Sequence, residues 1–284
     1  MSAVILLFAG MTCFGISNCL WKPLQQNAST ATLLMYRSLW TVAALILMVF
    51  IWGSHETRTP DSVIRCLPWI GLSLLGLWCF VRSTRHQPSG ISGTLILSMG
   101  FFGALAAWLG AGDALPRNLI VLTLIYGLGV LLIDPAPLRF KPPHRGTLLV
   151  LAAAACWAIA NLGFKPCVAE TGIWTFALLQ ESVVLITGFV LVNRGVEAKH
   201  NTLPRPLYTV LPLAGLTLGG VLACNVAISQ LSVMQFAWIS TVQPVTTLFV
   251  AALFFGERLT FRQLSGGLLL ISGALLSTVW AHSA

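Results

Sequence analysis

Long apolar runs, separated by short clusters of charge, Pro and polar residues, divide this chain. They fall at about 2–22, 31–52, 67–82, 90–111, 117–133, 147–165, 173–193, 207–229, 234–255 and 262–280. Hydrophobicity is continuous within each run and rich in Leu, Ala and Gly. The runs therefore read as helices rather than as the alternating strands of a membrane barrel. A helix needs about 20 mostly apolar residues to cross a bilayer. The pattern predicts an all-α membrane protein with ten transmembrane helices, of which the third and fifth are the shortest. The apolar start lacks a basic leader and a small-x-small cleavage site, and is read as a retained first helix.

The polar interruption at 134–146, DPAPLRFKPPHRG, is Pro-rich, basic and central. It separates a first unit, 1–134, from a second, 147–284, with 135–146 as linker. The two units resemble each other. CFGISNCLWKP at 13–23 aligns with CWAIANLGFKP at 156–166, a shift of about 143 residues. LPWIGLSLLG at 67–76 aligns with LPLAGLTLGG at 211–220, GDAL at 112–115 with GERL at 256–259, and Gly129 with Gly273. Similarity between any two apolar helices does not account for a shared Asn-x-x-x-Lys-Pro. Five spans per unit is an odd number, so the second unit enters the membrane in the opposite sense. The expected architecture is two inverted five-helix repeats around a central cavity, an arrangement that in secondary transporters holds the binding site near the bilayer midplane.

Composition agrees. The chain is 57% hydrophobic and 8% charged, where soluble domains are about a quarter charged; its mean hydropathy is +0.87. The net charge of +8 is spread over the loops, which argues for membrane-surface contact and against nucleic acid. Seven Cys without a C-x-x-C read as small buried hydrophobes. No metal, cofactor or nucleotide-binding motif is present, so transport would draw on an ion gradient, substrate exchange or a partner.

The segment QPVTTLFVAALFFGERLTFRQLSGGLLLISGALL, 243–277, is similar to the closing signature of the drug/metabolite transporter superfamily, EamA type. The matching positions are Pro244, Gly256, Glu257, Gly266, Gly267 and Gly273. In the first unit Gly112-Asp113 stands in place of Gly-Glu, and Gly100 in place of Pro244. The resemblance implies ten helices in two inverted repeats, and transport of metabolites such as amino acids, or of drugs, across an inner membrane.

Charges within spans are costly and normally face a protein interior or a watery cavity. Glu181 lies deep in the seventh run and is the candidate for proton coupling or for pairing with a substrate ammonium. Arg37 lies in the second run; the shift maps it to Gln180, beside Glu181, so an ion pair between the two units is one reading and a substrate carboxylate another. Asn18 and Asn161 are equivalent in the two units and lie on the same helix faces as Lys22 and Lys165, which read as interfacial anchors. Asn225, Gln243 and Gln235 are further polar candidates, and Pro244 is expected to free the carbonyl of Ser240. Trp40, Trp52 and Trp280 fit interfacial belts, whereas Trp78, Trp157 and Trp238 are candidates for an aromatic cavity wall. The expected cavity set is thus Asn18, Arg37, Trp78, Trp157, Asn161, Glu181, Asn225, Trp238 and Gln243.

The sequence favours a monomeric permease or exporter of a small metabolite, with membrane lipids and protons as further partners. A carrier of lipids or lipid-linked sugars is the alternative within transport. An intramembrane enzyme is the alternative from another class. GAGD at 110–113 is similar to an aspartyl intramembrane protease motif, but Asp61 and Asp134, the candidates for a second acid, fall in loops.

Loops after odd-numbered spans carry Lys22, Arg82, Arg85, Arg139, Lys141, Arg145, Arg194, Lys199, Arg205, Arg258 and Arg262; the opposite side carries Arg58, Arg65, Arg117 and Lys165. This balance sets both termini outside, whereas the family resemblance implies termini in the cytoplasm.

Overall fold

The computed structural model describes residues 3–26, 28–53, 56, 59–111, 119–134, 143–196, 207–231, 236, 240 and 242–282. Among these residues the chain is helical, with no strand. The helices are α1 Ala3–Gln25, α2 Thr30–Trp52, α3 Pro60–Ser83, α4 Ser89–Leu95, α5 Ser98–Ala106, α6 Leu119–Ile133, α7 Arg145–Thr171, α8 Ile173–Asn193, α9 Leu211–Gln230, α10 Val242–Phe255 and α11 Phe261–His282. Among the described residues seven helical segments have the length and apolar composition to cross a membrane. Among the described residues α6 and α10 span 15 and 14 residues. Large side chains such as Phe50 and Phe261, 84% and 85% exposed, point outward, as a protein solvated by lipid requires.

Local chemistry sets the helix ends. α2 starts after Ser29, whose Oγ accepts from Thr32 N at 3.0 Å. α3 starts seven residues before its apolar run, because Thr59 caps Ser62 N at 3.3 Å and Pro60 opens the first turn. α7 ends where Gly172 takes a φ of 85°, a backbone conformation that suits glycine. The fourth apolar run, expected as one span, breaks between α4 and α5 and continues as a π-helical turn, Ala107–Ala111. In the ninth run α10 is described from Val242.

Two glutamates tie together helices that are distant along the chain. Glu257 accepts from Ser89 N and Gly90 N at the start of α4, at 3.0 and 2.8 Å, and from Lys22 Nζ at 3.1 Å. Glu56 accepts from Trp174 N and Thr175 N at the start of α8, at 3.0 and 2.8 Å. A carboxylate across two free N–H groups satisfies orphan donors and complements the positive helix terminus.

The helix contacts come in matched sets. α3 packs along α7, and α9 packs along α1. α5 rests on α7, and α10 on α1. α2 meets α8, α4 meets α10 and α6 meets α11. Glycines allow the first of these approaches. A Cβ at Gly76 on α3 would lie 3.0 Å from the Trp157 ring on α7, and one at Gly220 on α9 would lie 2.8 Å from the Phe14 ring on α1.

At Gly93 on α4, a Cβ would meet Thr247 Cγ2 of α10 at 2.5 Å. Thr247 is held there by bonds from its hydroxyl to Gly15 O and Gln243 O, at 3.1 and 2.9 Å. Gly93→Ala is therefore expected to cost about 1–3 kcal/mol by overpacking. Gly71→Ala, with nothing within 4 Å, should be neutral or stabilise by up to about 1 kcal/mol. Thermal unfolding of the two variants in detergent checks this; equal melting temperatures would contradict the contact.

Candidate substrate cavity

The helices line a partly open cavity of about 170 Å³. α1 presents Phe14, Asn18 and Trp21 to it; α7 presents Trp157, Asn161 and Phe164. Each trio recurs at helical spacing and so shares one face. α3 adds Ser73 and Leu77, and α9 adds Thr217, Val221 and Asn225. Met99 of α5 and Gln243 of α10 complete two opposed walls.

A buried ion pair closes the cavity along the α2–α8 contact. Arg37 Nη2 lies 2.5 Å from Glu181 Oε2, with both side chains under 5% exposed. Ser38 Oγ donates to the same oxygen at 2.8 Å and accepts from Arg37 Nη2 at 2.8 Å. The guanidinium also lies 5.9 Å from the Trp21 ring centroid, within reach of a cation–π contact. Burying either charge alone would be strongly unfavourable; together, and hydrogen bonded, they are compensated. The compensation is incomplete, because Arg37 Nε is buried without a partner among the described residues.

The amides divide into two kinds. Asn18 Nδ2 donates to Thr247 Oγ1 at 3.2 Å, and Asn225 Nδ2 to Gln180 Oε1 at 3.1 Å; these two bond neighbouring helices as well as facing the cavity. Asn161 and Gln243 face the cavity with no side-chain hydrogen bond among the described residues. Cavity-facing amides in that condition leave donors and acceptors open to a polar ligand or water. Trp157 is held in the wall by its indole N–H, which donates to Ser73 O at 3.0 Å.

Seven of the expected cavity residues meet here: Asn18, Arg37, Trp157, Asn161, Glu181, Asn225 and Gln243. Trp78 does not. It packs against the apolar cluster that contains Phe80 and Val81, one residue past Leu77, the last α3 residue in the cavity wall. Trp238 and Gln235 lie outside the described residues, as does Asp113. The carbonyl of Ser240 is not freed by Pro244, because it accepts from Gln243 N at 3.2 Å. Lys22 meets Glu257, and Lys165 Nζ donates to Leu231 O at 3.0 Å, so both lysines bind within the protein at helix ends. Trp52 stacks on Trp174 at 5.4 Å.

Sequence reasoning missed Ser38, Gln180, Ser73 and Thr217. Ser73 and Thr217 occupy the same place in the aligned GLSLLG and GLTLGG segments. Ser38 stands 143 residues before Glu181, the same shift that relates Asn18 to Asn161. That coincidence is the signal that could have found it.

Apolar spans surrounding a polar, charge-paired cavity make this a multi-pass membrane protein. Residues 144–279 match the EamA-like transporter family, which supports assignment to the drug/metabolite transporters of EamA type. A solved protein crystal structure shares the fold at 15% identity, covering 99% of this chain and 98% of its own, with a TM-score of 0.68. No curated protein matches.

Proposed function

We propose that the protein is a secondary transporter of a small neutral or zwitterionic metabolite such as an amino acid, working by alternating access in an inner membrane. The observation that carries this reading is the cavity with its internally paired Arg37 and Glu181. Its volume of about 170 Å³ lies below the roughly 300–1,000 Å³ of drug-sized sites, which favours a small solute over a lipid-linked sugar. Cationic and anionic groups side by side, in a cavity that Trp157 and Phe164 also line, suit a molecule with both charges and an apolar side chain.

The same proposal takes the chain as two inverted five-helix repeats, divided at residues 135–146. The exchange of helix pairings supports it: the most extensive contacts of α1 and α3 with the opposite unit, α1 with α9 and α3 with α7, are counterparts with the units swapped, as are α1 with α10 and α5 with α7. So does the direct meeting of Ser38 and Glu181, equivalent positions that bond to each other at 2.8 Å, as residues beside a two-fold axis would. Rocking of one unit against the other then opens the cavity to each side in turn.

Glu181 is the group proposed to couple transport to protons. In proteoliposomes with an imposed pH gradient, Glu181→Gln is expected to lose accumulation while retaining exchange of substrate. Accumulation equal to wild type would remove the coupling role. For the substrate class, thermal shift of the purified protein against amino acids, sugars and lipid-linked sugars should single out the first group; stabilisation by the last alone would overturn the reading.

A further inference from the structure

α1, α4 and α10 meet near the end of α1, and one carboxylate bonds across the meeting point. α10 stops at Phe255, and Gly256 follows at a φ of 62°. Glu257 N then donates back to Ala251 O at 3.1 Å, the return bond of a Schellman cap. The stop of α10 thus fixes where Glu257 leaves the helix. Its Oε1 accepts from Lys22 Nζ at 3.1 Å and from Ser89 N at 3.0 Å, and its Oε2 accepts from Gly90 N at 2.8 Å. Glu257 comes from the second half of the chain, and its three donors come from the first. The Lys22 side chain is 41% exposed and that of Glu257 11%, so water reaches the joint.

The contacts beneath the joint lead to the cavity. One turn back along α1, Cys19 is buried and its Sγ donates to Thr247 O of α10 at 3.3 Å. Asn18 donates to the hydroxyl of the same threonine, and Gly93 of α4 packs on its methyl group. Asn18, Trp21 and Gln243 already face the cavity. α9 runs antiparallel to α1, with Gly10 beside Ala223 and Phe14 beside Gly220, so its last turn lies away from Lys22. The cavity wall continues in that direction to Ile228. The joint stands at one end of the cavity.

We propose that Glu257 is the latch of a gate: its bonds to Lys22 and to the start of α4 hold this end of the cavity shut, and their release lets α10 part from α1 and α4 to pass solute. The inference rests on the alternating-access reading above and adds the contact that must break. A part-exposed ion pair is weak, and the carboxylate and ammonium regain water when they separate. The Arg37–Glu181 pair, buried on both sides, has no such exchange open to it and suits a permanent joint. Glu257 therefore combines a specific closed geometry with a low cost of opening.

The test reads native Cys19 in nanodiscs, where both faces meet solvent, by water-soluble maleimide and peptide mass spectrometry. Cys66, buried near the start of α3, is the internal control. Glu257→Gln should speed Cys19 labelling roughly tenfold, as loss of charge-assisted bonds from the closed state requires, and Lys22→Met roughly threefold. Cys66 should label at its wild-type rate in both. Equal Cys19 rates in wild type and Glu257→Gln overturn the proposal. So does a matched rise at Cys19 and Cys66, which marks general loosening rather than a gate. In proteoliposomes, Lys22→Cys/Glu257→Cys bridged by a short dimaleimide should lose exchange of a radiolabelled amino-acid mixture, compared with the same variant capped by a monomaleimide. Undiminished exchange by the bridged protein also overturns the latch. If wild type exchanges no amino acid, the functional reading fails instead, and Cys19 labelling still decides the latch.

Discussion

Arg37→Met is expected to destabilise the protein by about 3–5 kcal/mol, because it leaves Glu181 buried and uncompensated. Ser38 would remain as the one donor to Glu181 Oε2, and a single hydroxyl does not replace a guanidinium. Thermal unfolding in detergent would show a large drop in melting temperature. Arg37→Met/Glu181→Leu removes both charges and should recover most of that loss, since a buried pair exchanged for apolar residues is often neutral or better. It should not recover transport, because the groups proposed to hold the substrate are gone. The two variants together separate the fold from the function. A double variant that still transports would show that the pair serves only to join α2 to α8.

Filling the cavity from either side is the second large effect. Ser73 on α3 and Thr217 on α9 face it from opposed walls. Ser73→Trp and Thr217→Trp should each bring uptake in proteoliposomes to background while the protein still unfolds cooperatively, because a ring placed in a space of about 170 Å³ leaves no room for a ligand. The matched outcome matters as much as the loss. If one tryptophan blocks and its counterpart does not, the cavity is not shared equally by the two units.

Much of the architecture is legible because lipid imposes a simple rule on sequence: long apolar runs, charge at their ends, and few exceptions inside. Those exceptions, Arg37 and Glu181, are also the most readable part of the cavity, since a charge in a span needs a partner. The shift of about 143 residues by itself maps Arg37 to Gln180, next to Glu181. Small hydroxyls are not legible in the same way. Ser38, Ser73 and Thr217 are cheap to place on any helix, and only their neighbours give them a role. The break between α4 and α5 is hidden because the run 90–111 is apolar throughout; the close approach of α4 to Thr247 is a tertiary event. Trp78 shows the converse failure. Aromatic character in a span does not say which way the ring turns, and here it turns to the packed flank of α3.

The aromatic rings seated against Gly76 and Gly220 have a mechanical consequence. Trp157 and Phe14 bound the cavity on one side and act as spacers between helices on the other. Interhelical separation and cavity width are therefore not independent variables. A solute that presses on either ring pushes on a neighbouring helix, and a helix that slides must carry a wall of the chamber with it.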